Sequence, residues 1–167
     1  MRQLLAWTLL VVSRTDHAMI GSLTPEEIED VLTAEVVGRV ACIVAGRPYI
    51  VPVTYVYDGE FAHAYVHSAE GTKVRAMREN PDVCFEVEQI RDMANWRTVV
   101  AQARFEELWN DNQERAMDLL ASRFAPLQVS ETARPARREE AHRQHGIARP
   151  VLYRLQLLEK SGRYERT

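Results

Sequence analysis

Short apolar runs rich in Val, Ile and Tyr recur along most of the chain, and turn residues separate them. Such runs favour β-strands, because branched and aromatic side chains pack well on a pleated surface. Asp58-Gly59, between two of the runs, is typical of a tight hairpin. We therefore predict six strands, of which the first three form an antiparallel meander. The predicted strands are 36–45, 49–57, 61–67, 83–88, 97–107 and 150–158.

Helical spacing of apolar residues occurs between some of these runs. Thr24-Pro25-Glu26-Glu27 predicts a helix start, because this order supplies a capping threonine, a proline suited to the first turn and a glutamate that can close a capping box. A second short helix is predicted over 72–79, where Asn80-Pro81 ends it, and a third follows the fifth strand. Many strands and few helices favour a barrel over a βαβ sheet.

The composition is that of a soluble globular domain. The chain has 167 residues, of which 46% are hydrophobic and 27% charged, and its formal net charge is -3. The apolar content excludes disorder along the whole chain, and the slightly acidic charge argues against bulk nucleic-acid binding. Cys42 and Cys84 sit in apolar runs, which predicts core thiols rather than a disulfide scaffold. We expect a cytoplasmic protein with neither a nucleic-acid nor a membrane partner.

The first 20 residues differ from the rest. The apolar stretch 4–12 is too short to span a bilayer, which takes about 20 residues. We interpret 1–20 as a leader or an extra N-terminal helix, with Met19 as an alternative start, and 21–167 as a single domain. Within that domain 125–149 is rich in Arg, Glu and Ala, so we expect an irregular, loosely packed excursion there.

The stretch from His67 to Lys73 is the strongest candidate for chemistry. It joins a predicted strand to a predicted helix and has the sequence His-Ser-Ala-Glu-Gly-Thr-Lys. A helix N-terminus attracts anions through free N–H groups and a partial positive charge. Gly71 allows close backbone approach, and Ser68 and Thr72 offer hydroxyl groups. The stretch predicts a phosphate cradle or, as the plainer alternative, ordinary helix capping. The nearby cations are Lys73, Arg75 and Arg78.

Three further features each have a functional and a structural interpretation. Pro52-Val53-Thr54-Tyr55 lies inside a strand, where the proline either frees backbone groups for a flat polar ring or protects a sheet edge. Trp96 either flanks a ligand ring or anchors the core. His63 and His67 are about 13 Å apart on one strand and cannot share a metal; each is a single axial ligand or part of a polar rim. The sequence contains no metal-binding histidine pattern, and we predict no metal site.

Several motifs in one order carry a family resemblance. Together they resemble the pyridoxamine 5′-phosphate oxidase-like, flavin-binding split β-barrel proteins, and most of all the branch that includes the nitroimidazole-resistance proteins. The resemblance covers about 23–107 and returns at 150–163. The motifs are Gly38-Arg39-Val40-Ala41, the stretch from Gly46 to Gly59, the stretch from His67 to Lys73, the stretch from Asn80 to Val87, and Asn95-Trp96-Arg97-Thr98-Val99-Val100.

The resemblance implies a mainly β fold, a six-stranded antiparallel split β-barrel with flanking helices. It also implies a homodimer with two FMN sites at the subunit interface. Backbone groups of 52–55 would contact the flavin ring, 67–69 and 71–73 would hold the ribityl chain and phosphate, and Trp96 would lie near the ring or the interface. The implied cofactor-binding residues are Pro52, Val53, Thr54, Tyr55, His67, Ser68, Ala69, Gly71, Thr72, Lys73 and Trp96.

Two departures from the family pattern bear on function. Many relatives carry a basic residue directly before the lysine, where this chain has Thr72, so a hydroxyl replaces one charge-assisted bond to phosphate. True pyridoxamine 5′-phosphate oxidases also carry a C-terminal substrate signature with a tryptophan and arginines. The C-terminal stretch 153–160 has no tryptophan, which argues against vitamin oxidation as the reaction.

The sequence therefore favours an FMN-dependent oxidoreductase that acts on a small molecule, with nitroaromatic reduction as one form of that activity. His67 is the candidate catalytic residue for proton transfer. A non-catalytic flavin- or haem-binding barrel, with His63 or His67 on the iron, is the alternative. A dimeric barrel that has lost its cofactor is a third interpretation.

Overall fold

The computed structural model describes residues 19–125 and 150–167. These ranges contain eight strands and three helices. The strands are β1 (Met19–Ser22), β2 (Val37–Val44), β3 (Arg47–Thr54), β4 (Val56–Asp58), β5 (His63–Ala69), β6 (Asp82–Asp92), β7 (Asn95–Glu107) and β8 (Pro150–Arg166). The helices are α1 (Pro25–Ala34), α2 (Thr72–Glu79) and α3 (Asp111–Phe124).

All the strands belong to one antiparallel sheet. Their order is β3-β2-β6-β7-β8-β5-β4, and β1 adds to β8. β3 also contacts β5, which brings the two ends of the sheet together around the main core. Buried residues from both halves of the sheet and from α1 and α2 fill that core. The predicted mainly β split barrel is thus confirmed, with more strands than the six expected.

The second predicted strand is two strands, and the predicted three-strand meander is wrong. The chain breaks at Tyr55, whose buried side chain donates a hydrogen bond from its hydroxyl to the Leu32 carbonyl at 2.8 Å. The Tyr55 N–H donates to the Val36 carbonyl at 2.9 Å. As a result β3 pairs with β2, whereas β4 pairs with β5 at the other end of the sheet order.

The last strand continues past its predicted end at residue 158. Gly162 pairs with Val99 inside β8, although Lys160-Ser161-Gly162 has the composition of a turn. A Cβ atom at Gly162 would lie 2.7 Å from Leu23 Cδ1, so the glycine is needed where the chain before α1 crosses the strand. This extension also gives β1 its partner, with Ser22 opposite Arg163.

The described residues cover only part of the predicted leader 1–20 and of the predicted excursion 125–149. Met19 and Ile20, placed in the predicted leader 1–20, belong to β1, which also contains Gly21. Residues 1–18 and nearly all of the predicted excursion 125–149 lie outside the described residues.

The helices begin where the sequence predicts. Thr24 Oγ1 accepts a hydrogen bond from the Glu27 N–H at 3.2 Å, and Glu27 Oε2 accepts one from the Thr24 N–H at 2.9 Å, so the predicted capping box is present. α2 covers 72–79 as expected. α3 packs with Val56, Tyr65 and Leu152 in a second apolar cluster on the outside of the barrel. None of the helices in the described ranges is long and apolar enough to cross a membrane.

One face of the barrel has no helix over it among the described elements. It is the outer surface of β3, β2, β6 and β7, which we call the outer face. Ile50 lies opposite Ala41, which lies opposite Cys84 on the next strand. Cys84 is half-buried there, whereas Cys42 points into the core, so only Cys42 is the fully buried thiol that was predicted.

Candidate phosphate and flavin site

The N-terminus of α2 has no side-chain cap. Gly71 is its capping residue, and the first turn contains no acidic residue. The N–H groups of Thr72, Lys73 and Val74 have no carbonyl acceptor within the helix, because a helix leaves its first donors unpaired. Glu70, the acidic residue just before Gly71, pairs with Arg78 at 2.9 Å. In α1 the capping box satisfies N–H groups at the helix start. In α2 the corresponding N–H groups remain available to a ligand.

Lys73 places a positive charge at this helix end. Its side chain is half-buried and makes neither a hydrogen bond nor an ion pair with any residue in the described ranges. Burial lowers the pKa of Lys73, and the neighbouring Cys42 thiol raises it by a smaller amount. A half-buried cation without a carboxylate partner is costly. Binding of an anion would offset that cost.

The rest of the predicted cradle is open. A Cβ atom at Gly71 would meet nothing within 4 Å, and the extended backbone there is available to any residue. Ser68 Oγ donates to the Ala69 carbonyl at 3.0 Å, and Ala69 and Thr72 are exposed. The open space, the free donors and the unpaired lysine fit an oxyanion such as a phosphate.

The other two predicted cations differ in availability. Arg78 is held by Glu70 and, at 2.7 Å, by Glu107, and both bonds raise the pKa of its guanidinium. It therefore acts as a structural ion-pair partner rather than as a phosphate ligand. Arg75 is exposed on α2.

His67 lies on β5 just before the cradle. Its side chain is on the same face of the strand as His63 and Tyr65, because alternate residues share a face. Burial lowers the pKa of His67 below its usual value of 6.5. The imidazole is therefore neutral at pH 7, and a neutral imidazole can accept a proton.

Residues 52–54 form the end of the edge strand β3, and Tyr55 directly follows it. The Tyr55 N–H bonds toward β2, and donors alternate along an antiparallel strand. The backbone groups of Thr54, and the carbonyl of Pro52, therefore point away from β2. Val53 is buried in the core, as is Tyr55, so what this stretch offers a ligand is the backbone edge of Pro52 and Thr54.

Trp96 lies far from this cradle along the sheet. Its partner on β8 is Glu165, whereas the partner of His67 is Leu152, 13 residues earlier. At about 3.3 Å per residue this is roughly 40 Å of strand. Within one chain, the residues of 67–73 lie at one place, and Trp96 lies far from them.

Comparison with known proteins shows which family the chain belongs to. Residues 24–164 match the model of the family described as pyridoxamine 5′-phosphate oxidase. The chain belongs to the pyridoxamine 5′-phosphate oxidase family. A solved FAD-binding protein from Mesorhizobium loti is 30% identical, covers 89% of this chain and 99% of its own, and superimposes with a TM-score of 0.68.

More distant members of the fold are also similar. A candidate 5-nitroimidazole antibiotic resistance protein from Bacteroides thetaiotaomicron is 14% identical, with a TM-score of 0.66 over 89% of both chains. An FAD- and haem-binding protein from Mycobacterium smegmatis is 19% identical, with a TM-score of 0.66 over 86% of this chain and 72% of its own. An uncharacterised protein of Rhizobium meliloti is 35% identical over 86 residues, which is 52% of this chain and 56% of that one.

Sequence reasoning missed one feature of this family member, a cavity of about 300 Å³ beside Trp96. Its wall combines residues of the β6–β7 hairpin with Tyr164, Glu165 and Arg166 at the end of β8. The two parts are about 70 positions apart in the sequence, and only the long pairing of β7 with β8 brings them together. The described residues contain no group of three or more His, Cys, Asp or Glu side chains that could hold a metal ion.

Proposed function

We propose that the protein is a flavin-dependent oxidoreductase that holds the phosphate of FMN at the N-terminus of α2. The observation that carries the proposal is the uncapped helix end beside the half-buried, unpaired Lys73. Two neighbours support the choice of a flavin, because the Mesorhizobium loti protein is FAD-binding and the Mycobacterium smegmatis protein binds FAD and haem.

Each group of the cradle has a distinct task in this proposal. The N–H groups at the start of α2 and the Lys73 ammonium neutralise the phosphate, and the hydroxyls of Ser68 and Thr72 add hydrogen bonds. The outward backbone edge of β3 at Pro52 and Thr54 orients a flat polar ring. A bound flavin supplies the hydride and electron transfer chemistry.

His67 is the proposed proton-transfer residue. Because burial keeps its imidazole predominantly neutral at pH 7, a free ring nitrogen is available to accept a proton from an oxidisable substrate. The substrate class is a small oxidisable or electron-poor molecule, with nitroaromatic compounds suggested by the neighbour described as a candidate nitroimidazole-resistance protein.

We further propose that the working unit is a homodimer with the flavin at the seam. The implied cofactor residues 67–69 and 71–73 are far from Trp96 along β8 within one chain, so a second copy is the simplest source of the missing part. The outer face offers the surface for it, because Ile50 is 60% and Ile43 44% exposed there with no described helix over them.

The test is a titration of the purified protein with FMN and, in parallel, with FAD. We expect flavin absorption bands in the bound protein and a dissociation constant that rises at least tenfold in Lys73→Gln, because a charge-assisted hydrogen bond is lost. Arg75→Gln, an exposed cation on the same helix, is the matched control and should change affinity by less than threefold.

Two results would contradict the proposal. One is the absence of flavin binding even after reconstitution. The other is a haem Soret band in purified protein that binds no flavin, which disappears in His67→Ala and would establish the haem alternative. Tighter binding of FAD than of FMN would support a flavin cofactor and would show that this cofactor is FAD.

A further inference from the structure

The end of α1 is tied to two distant parts of the chain by side-chain hydrogen bonds. A helix leaves its last carbonyl groups without a donor inside the helix. The Leu32 carbonyl accepts from the Tyr55 hydroxyl at 2.8 Å. Arg123, on α3, donates from Nη2 to the Ala34 carbonyl at 2.7 Å and to the Thr33 carbonyl at 3.2 Å. Tyr55 and Arg123 therefore hold the same helix end.

Arg123 also supplies a positive charge that α1 lacks at this end. The last turn of α1 contains no basic residue, and its capping residue is Glu35. Because a helix C-terminus carries a partial negative charge, the Glu35 carboxylate adds to a charge of the same sign. Glu35 accepts from the neutral Gln89 amide at 2.8 Å, which leaves its charge in place. Burial raises the pKa of the nearby Tyr55 phenol most, Glu35 raises it further and Arg123 lowers it, so the guanidinium opposes the acidic charge at Tyr55 itself.

Tyr55 connects this helix end to the edge that is proposed to orient the flavin ring. Its side chain is buried in the main core, whereas Val56, the next residue, packs with α3 in the second apolar cluster. The Tyr55 N–H donates to the Val36 carbonyl at 2.9 Å, directly after β3 ends at Thr54. A displacement of Tyr55 would therefore displace the outward backbone edge of Pro52 and Thr54.

We infer that Arg123 is a positioning residue for the flavin ring. It acts through the end of α1 on Tyr55, whose hydroxyl and N–H fix the place where β3 ends. The inference rests on the proposed function, because it takes the backbone edge of 52–54 as the group that orients the ring. Arg123 lies 89 positions after Ala34 in the sequence, and no sequence motif points to it.

The experiment titrates the purified full-length protein with riboflavin and with FMN. Riboflavin keeps the ring and the ribityl chain without the phosphate, so the ratio of the two dissociation constants reports on the phosphate cradle. In Arg123→Met we expect both constants to rise about tenfold, the effect of one misplaced hydrogen bond to the ring, and their ratio to stay the same. Lys73→Gln should do the reverse, because it weakens FMN binding and leaves riboflavin binding unchanged.

Two further variants separate positioning from a general loosening of α3. Arg115→Met is the matched control, because Arg115 lies on the same helix and pairs with Asp58 at 3.0 Å rather than with α1. It should change riboflavin affinity by less than about threefold. Arg123→Lys keeps a charged donor, and a single nitrogen serves both carbonyls, so it should bind riboflavin within about threefold of the wild type.

The inference and the proposed function fail by different results. Unchanged riboflavin affinity in Arg123→Met, an equal loss in Arg115→Met, or no rescue in Arg123→Lys overturns the inference and leaves the flavin proposal standing. A wild-type protein that binds neither riboflavin nor FMN overturns both.

Tyr55→Phe provides a second test if Arg123→Met does not fold. It removes the other hydrogen bond to the end of α1 and keeps the aromatic ring in the core. We expect the same parallel rise of both dissociation constants. Unchanged riboflavin affinity in Tyr55→Phe would overturn the inference.

Discussion

Two buried tyrosines in the core use their hydroxyl groups differently. Tyr55 donates to the Leu32 carbonyl at 2.8 Å and so ties the break between β3 and β4 to the end of α1. Tyr153 is equally buried, yet its hydroxyl has no hydrogen-bond partner among the described residues. Burial raises the pKa of both phenols. One hydroxyl stabilises the fold, and the other is a cost to it.

This difference predicts opposite effects of the same substitution. Tyr55→Phe should lower the free energy of unfolding by about 1 kcal/mol or more, because it leaves a buried carbonyl without its donor. Tyr153→Phe should raise it by about 1 kcal/mol, because it removes an unsatisfied buried hydroxyl. Urea unfolding of both variants measures this. A loss of stability in Tyr153→Phe would mean that its hydroxyl has a partner, such as a buried water.

Helices α1 and α2 illustrate how a helix start can serve either stability or binding. α1 satisfies its first donors with Thr24 and Glu27, whereas α2 begins at Gly71 with none of its donors capped by a side chain. Both begin after a strand and pack on the same core. The difference between the two starts is therefore chemical rather than topological.

An artificial cap on α2 should separate these roles. Gly71→Asp should raise the free energy of unfolding by a few tenths of a kcal/mol through capping and weaken flavin binding at least tenfold by charge repulsion. Gly71→Ala is the matched control, because its added Cβ meets nothing within 4 Å. Chemical unfolding and FMN titration give the two numbers. Unchanged flavin affinity in Gly71→Asp would place the phosphate elsewhere.

Local signals explain which elements the sequence predicts correctly. The capping box defines the start of α1 and the Asn-Pro stop defines the end of α2, and the site proposed at 67–73 rests on the second of these helices. The break at Tyr55 has no local signal, because the residues on both sides are typical of a strand; only burial of Tyr55 against α1 causes it. The extension of β8 past Gly162 likewise depends on packing against Leu23, far away in the sequence.

At the scale of the whole molecule, the outer face is the surface through which we propose that two copies of the chain form the dimer. Its exposed apolar side chains flank an ion-pair network in which Arg39 contacts Glu86 at 3.1 Å and Glu88 at 2.6 Å. An apolar patch with a fixed polar surround is typical of a surface that a second chain covers.

A charge on that patch should dissociate the dimer. Ile50→Glu is expected to give a monomer in sedimentation at micromolar concentration, with loss of flavin and a normal circular dichroism spectrum. Met93→Glu is the control, since Met93 is 93% exposed in the β6–β7 turn. A wild-type monomer that binds flavin tightly would refute the interface site.

β8 pairs with β7, β5 and β1, strands that precede it by up to about 130 residues. On the ribosome these three strands emerge well before their common partner, and their backbone edges stay open to chaperones or to neighbouring nascent chains. Barrel closure therefore waits until β8 has left the exit tunnel. Such long-range pairing is expected to make productive folding slow.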